Sequence, residues 1–152
     1  MRIVLDTNIL VASLWKPGSK SAGIVRDVIK QRITACYTTE IAEEYSIVLR
    51  RLKFRFPISV TDGLVHGITD NGLSVEAPKS DIYFAHESDR VFYDVAVFCG
   101  AKLITSNLKH FPESDPRIMT PGAFAAFMMK NGSIANNGEL QHNDKTGTHN
   151  HR

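Results

Sequence analysis

The chain has 152 residues, a length typical of one globular domain with at most a short tail, which argues against a two-domain enzyme. Hydrophobic residues make up 43% of it, so it can bury a core and is not disordered throughout. The net charge of +2 is too close to zero to indicate a nucleic acid or a membrane surface as partner. Because Asp6 interrupts the first apolar run and no later run approaches the ~18 residues of a membrane span, we expect a cytoplasmic protein without a membrane partner.

Short aliphatic runs alternate along the chain with segments whose apolar residues recur at helical spacing. The first run, Arg2–Leu5, stops at a polar Asp-Thr-Asn sequence, as a buried parallel strand does at its carboxyl end. Further strands are predicted over Ile33–Tyr37, Leu73–Ala77, Ala101–Thr105 and Arg117–Met119. Helices are predicted over Ile9–Trp15, Ser21–Gln31, a Thr38 or Thr39 cap to about Arg51, Ile58–Thr69, a Ser88 or Asp89 cap to Gly100, and Ala123–Met129.

This alternation predicts an α/β fold, a three-layer α/β/α sandwich on a mainly parallel central sheet. We expect the domain to span residues 1–130. From 131 to 152 the composition shifts to Asn, Gly, His and Thr, which predicts a flexible polar tail. Its histidines are too irregularly spaced to indicate a metal site; they are His142, His149 and His151.

Acidic side chains are predicted at the carboxyl ends of the strands, where open α/β sheets bind their ligands. Asp6 follows the first strand, Glu44 lies in the first turns of the helix after the second, and Asp89 opens the helix after the third. Asn107 lies in the turn after the fourth strand. Carboxylates gathered in one crevice raise each other's pKa unless a cation neutralises them, so a divalent metal is the simplest expectation.

Oxygen ligands without cysteine indicate Mg²⁺ or Mn²⁺ rather than zinc. Such a metal would bind a phosphate oxygen, lower the pKa of a coordinated water and stabilise charge in an in-line displacement, which is the chemistry of phosphodiester hydrolysis. The same residues have a simpler interpretation, because Asp6 and Asp89 suit helix caps and Glu44 suits a solvated helix surface. Spacing alone leaves both interpretations open.

Four blocks, in order and at fitting separations, resemble those of the PIN-domain nucleases, and most closely those of relatives of the VapC toxins. The blocks are Asp6-Thr7-Asn8 after the first strand, Glu43–Arg50, Ser88–Ala96 and Leu103–Pro112. The resemblance covers about residues 1–130. It implies an endoribonuclease on a Rossmann-like sandwich that uses Mg²⁺ or Mn²⁺, cleaves RNA, forms a homodimer and is inhibited by a small antitoxin protein.

By residue, the resemblance makes Asp6, Glu44 and Asp89 the catalytic metal ligands, with Glu43 as the register alternative to Glu44. Asn107, the fourth catalytic position, stands where many family members carry an acidic residue, so it adds no charge to hold a second metal. The supporting hydrogen-bonding groups implied by the match are Asn8 and Thr105.

Two further residues are candidates for the same site. Asp94 adds a carboxylate, but five helical residues rotate it about 140° from Asp89. His110 has two interpretations, a general acid or phosphate contact and a local hydrogen-bonding group in a turn.

Cations alternate with aromatic residues after the third predicted helix. They are Arg50, Arg51, Lys53, Phe54, Arg55 and Phe56. This pattern suits the gripping of an RNA backbone and the stacking of a base, although compensation of the helix dipole explains the charges equally well. Trp15, Phe92 and Tyr93 are expected to be core or dimer contacts rather than platforms for bases.

Two other function classes compete with a nuclease. A module of the same fold with a degraded fourth position would bind RNA or a partner protein without cutting it. A phosphatase or nucleotide-binding domain is disfavoured, because Asp6-Thr7-Asn8 lacks the second aspartate of aspartyl-phosphate enzymes and no Gly-rich fingerprint follows a predicted strand.

Overall fold

The structure is a computed structural model that describes residues 1–132, and five parallel strands form its centre. The strands are β1 (Arg2–Leu5), β2 (Thr34–Tyr37), β3 (Leu73–Ser74), β4 (Lys102–Ile104) and β5 (Ile118–Met119). They are ordered β3-β2-β1-β4-β5 in the sheet, and every neighbouring pair is parallel. The expected parallel sheet is therefore confirmed.

Helices connect the strands. They are α1 (Thr7–Trp15), α2 (Lys20–Ile29), α3 (Thr39–Leu49), α4 (Ile58–Asn71), α5 (Arg90–Cys99) and α6 (121–132). Of the two caps predicted for α3, Thr38 is the one used, since its side chain accepts a hydrogen bond from Ile41 N at 3.2 Å. Gly100 ends α5 in a left-handed conformation (φ 59°), which glycine adopts at little cost.

The strand order places the helices in two layers. The chain passes from β1 to β2 to β3 in one direction, then returns across β1 to add β4 and β5 on its other side. Right-handed crossovers then put α1 to α4 on one face of the sheet and α5 on the other, which is the predicted α/β/α sandwich. The direction of strand addition reverses at β1.

The central strands are completely buried. Ile3, Val4 and Leu5 of β1 and Leu103 and Ile104 of β4 have no exposed surface. Such a continuous apolar run is typical of a parallel strand covered by helices on both faces, so the ends of β1 and β4 are held rigidly.

Strand β3 is shorter than predicted. It pairs with β2 only through Cys36↔Leu73 and Tyr37↔Ser74, and Val75 N still donates to Tyr37 O at 2.9 Å. Because β2 ends at Tyr37, where the chain turns into the cap of α3, the predicted residues up to Ala77 have no strand beside them.

The predicted tail, 131–152, lies outside the described residues apart from 131 and 132, which end α6. The tail histidines are therefore not described. No helix within residues 1–132 is both long enough and apolar enough to cross a membrane.

Candidate active site

The candidate site lies where β1 and β4 end side by side. Asp6 follows β1, and its backbone N–H donates to Ile104 O at 3.0 Å, so Asp6 extends the pairing of the two strands. Thr105 follows β4 at the same edge and is fully buried, while Asp6 is 7% exposed. This is the point where the strand order reverses, at which open α/β sheets form their ligand crevice.

Both oxygens of Asp6 accept hydrogen bonds. Oδ1 accepts from Thr7 N at 2.8 Å, so Asp6 also caps α1 and the helix begins two residues earlier than predicted. Oδ2 accepts from the Thr105 hydroxyl at 2.7 Å and from Asn8 Nδ2 at 3.3 Å. The two predicted supporting residues, Asn8 and Thr105, thus contact the carboxylate they were expected to orient.

Glu44 is brought to this edge by α3. Its Oε2 accepts a hydrogen bond from the Thr7 hydroxyl at 2.5 Å. The adjacent Glu43 is exposed and lines a separate hollow beside Val65 and His66. Successive helical residues point about 100° apart, so only one of the two glutamates can face Asp6, and the structure places Glu44 there.

Burial, assisted by neighbouring carboxylates, raises the pKa of both Asp6 and Glu44. For Asp6, burial raises the pKa most, the Thr105 hydrogen bond opposes the rise, and the charge of Asp89 adds to it. For Glu44, burial again raises the pKa most, the Thr7 hydroxyl opposes the rise, and the charges of Asp6 and Asp89 add to it. The three carboxylates therefore interact electrostatically although they come from three separate elements.

Asp89 ends a 3₁₀ turn, Glu87–Asp89, immediately before α5, and its side chain makes no capping bond to that helix. Asp89 therefore occupies the expected N-cap position, but its side chain does not act as the cap. Its Oδ2 is shielded from solvent and has no hydrogen-bond partner among the described residues. His110 Nδ1 lies 3.3 Å from this oxygen, close enough for an ion pair.

Two imidazoles flank Asp89. The rings of His86 and His110 lie 5.0 Å apart. Burial raises the pKa of Asp89, and the nearby charges of His110 and His86 counteract this rise only in part. His110 is therefore brought to the site, and His86 joins it from a loop in which no sequence pattern had marked it.

The remaining candidates are placed less centrally. Asp94 is buried, accepts a hydrogen bond from Ser80 N at 3.0 Å, and lines a cleft of about 630 Å³ that also borders Glu44. Asp94 thus anchors the loop before α5 instead of joining Asp6. The Asn107 side chain is exposed, and it is the backbone N–H of Asn107 that binds the Thr105 hydroxyl, at 3.0 Å.

Thr7 was also missed as a site residue. Its hydroxyl links α1, which begins beside Asp6, directly to Glu44 of α3. In the sequence, the only indication of this role is that Thr7 follows Asp6. A donor to a glutamate 37 positions away cannot be recognised from helical periodicity.

The donor set fits a magnesium-type cation. Within residues 1–132, no three His, Cys, Asp or Glu side chains already form a coordination group. Mg²⁺ is usually held by one or two carboxylates together with waters and substrate phosphates, whereas zinc sites require three or four protein ligands. The shielded Oδ2 of Asp89 and the fixed carboxylate of Asp6 are oxygen donors that could hold such a cation, and Glu44 could add a third.

Comparison with known proteins agrees with this fold. The chain is similar in fold to a chain of VapBC2 from Rickettsia felis, crystallised with a DNA fragment from their promoter. The TM-score is 0.53 at 14% sequence identity, over 79% of this chain and 97% of that chain, so the likeness concerns the fold. None of the curated proteins is similar enough to match. The model of the PIN domain matches residues 2–109, well over half of the sequence, and the chain therefore belongs to the PIN domain family.

Proposed function

We propose that the protein is an endoribonuclease that uses Mg²⁺ or Mn²⁺ to hydrolyse RNA phosphodiester bonds. One observation supports the proposal most: Asp6, at the end of β1, lies close enough to Glu44 and Asp89 for charge on one carboxylate to raise the pKa of another, and one oxygen of Asp89 is shielded from solvent beside the His110 imidazole. Carboxylates with raised pKa in a crevice are typical of a functional site. We propose residues 1–130 as the catalytic domain.

Each residue has a distinct part in this proposal. Asp6 and Asp89 would hold the cation, and Glu44, oriented by the Thr7 hydroxyl, would ligate it or hold one of its waters. When bound, the cation supplies Lewis-acid stabilisation of the phosphate and makes a water more acidic. Asn107 would orient the attacking water or a phosphate oxygen, so the reaction needs no protein nucleophile.

We further propose a VapC-like toxin role, with a small antitoxin as partner and a homodimer as assembly. The support is the shared fold, because the similar chain comes from VapBC2 in complex with promoter DNA. The second candidate is a module that binds RNA without cutting it. The uncharged Asn107 at the fourth position favours that alternative, since it weakens the hold on a second cation.

Cleavage of a mixed RNA pool separates the two candidates. We expect cleavage with Mg²⁺ or Mn²⁺, none with EDTA, and a loss of about 100-fold or more in Asp6→Asn and in Asp89→Asn. Glu43→Gln is the matched control, because it removes an acid from the same helix as Glu44 on a face that does not reach Asp6. RNA binding without cleavage by the wild type, or full activity in both aspartate variants, would refute the nuclease.

A further inference from the structure

An aromatic cluster lies exposed at the end of α1. Trp15 was expected to be a core or dimer contact; it is 62% exposed and therefore not in the core, whereas Phe92 and Tyr93 are buried in it. The indole packs at 83° against the rings of both Phe54 and Phe56, with centroids 5.3 and 6.2 Å away. We call these three residues the Trp15 platform. Its neighbours restrain the indole while most of its surface stays open.

The platform is surrounded by positive charge. Residues 45–61 contain four Lys or Arg and no Asp or Glu. The Lys53 ammonium lies 5.1 Å from the centre of the Phe54 ring, and Arg55 is exposed. Arg50 is engaged by Asp62 at 2.7 Å, which leaves Arg51, Lys53 and Arg55 as the cations available to a ligand.

Two helices connect the platform to the acidic site. α1 begins at Thr7, beside Asp6, and ends at Trp15, a rise of about 12 Å from its first residue to its last. α3 carries Glu44 and leads directly into the basic residues. Burial raises the pKa of Glu44 and the charge of Arg51 opposes that rise, so Arg51 acts within electrostatic reach of the acidic site.

We propose that the Trp15 platform and the flanking cations Arg51, Lys53 and Arg55 bind single-stranded RNA one length of α1 away from the acidic site, with a base stacked on Trp15. Cations that follow a backbone, interleaved with aromatic rings that accept any base, are how proteins hold single strands without reading their sequence. Trp, Phe and Arg are also enriched in protein–protein interfaces, whereas lysine is depleted there, so the exposed Lys53 beside Phe54 is the residue that favours RNA over a protein partner. The proposal rests on the proposed function for its substrate.

The single tryptophan of the chain supplies a direct probe. We would titrate single-stranded oligouridine and oligoadenine in EDTA, where binding is measured without cleavage, and follow Trp15 fluorescence and the anisotropy of a labelled strand. Quenching is expected with single strands and not with a duplex, because paired bases are unavailable for stacking. Trp15→Ala should weaken binding at least about fivefold, and Trp15→Phe should recover part of it.

Two variants keep the test independent of folding around the indole. Lys53→Gln with Arg55→Gln leaves the rings in place and should lower the salt dependence of single-strand binding by about 0.7 per lost phosphate contact. Ile47→Ala, 66% exposed on α3, is the matched apolar control and should bind like the wild type.

Unchanged fluorescence with equal affinity of wild type and Trp15→Ala would overturn the proposal. So would a Trp15→Ala variant that changes the sedimentation of the protein but not its RNA affinity, because the platform would then be a protein interface. The two proposals fail separately: RNA cleavage with no contribution from Trp15 refutes only the platform. Trp15-dependent binding with metal-insensitive or absent cleavage refutes only the nuclease.

Discussion

The hydrogen bond from Thr7 to Glu44 offers a sharp test of how the site is built. Thr7→Val removes the donor and keeps the shape of a side chain that is 6% exposed. A hydrogen bond to a charged group contributes about 1.5–3 kcal/mol, but Glu44 is partly exposed, so water can replace part of this bond and we expect a net loss of about 1 kcal/mol. For a chain of this size that corresponds to a fall in Tm of about 2–4 °C.

Activity should respond in the same direction. Without the Thr7 hydroxyl, Glu44 loses about 1 kcal/mol of the interaction that holds it in place. If this is lost in the transition state, kcat/KM for RNA cleavage falls about fivefold. Thr7→Ser keeps the hydroxyl and should restore the rate, whereas a purely structural role would leave both variants equally affected. The assays are thermal unfolding by circular dichroism and cleavage with saturating Mg²⁺. Wild-type Tm and rate in Thr7→Val would refute the reasoning.

Two further predictions concern the frame of the site and its charge. Tyr45→Phe removes a fully buried hydroxyl that donates to Leu5 O at 2.5 Å. The free energy of unfolding, measured by urea denaturation, should therefore fall by about 1–2 kcal/mol, and an unchanged midpoint would contradict this. Burial raises the folded pKa of Asp89, so its carboxyl destabilises the metal-free fold as the pH rises through the unfolded pKa. Asp89→Asn should therefore gain stability relative to the wild type between about pH 4 and 7 in EDTA, and parallel stability–pH curves would exclude this effect.

Much of the fold could be predicted from local sequence patterns, because many of its helices and strands are determined by residues close together in the chain. The aliphatic run of β1 and the break after Trp15 are readable without tertiary contacts. The length of β3 could not be predicted in this way, because it depends on where its neighbour β2 ends. The exposure of Trp15 was not predicted for a similar reason. Helical spacing shows which residues share a face of the helix, but it does not show whether another element covers the last turn of α1.

The candidate site was predictable only as far as the family blocks reach. They marked Asp6 and Asp89 as more than caps, although Asp6 also caps α1, and the helix geometry that the sequence left open directs Glu44, not Glu43, toward Asp6. His86 carries no local signal, because its place beside His110 depends on the path of the loop before α5.

Crystals of the wild-type protein soaked in Mn²⁺, measured by anomalous diffraction, would test the central claim most directly. A manganese peak between the carboxylates of Asp6 and Asp89, with Glu44 in its first or second coordination sphere, is the predicted result. No peak in that crevice at Mn²⁺ concentrations that support RNA cleavage, or a peak held by other residues, would contradict the account.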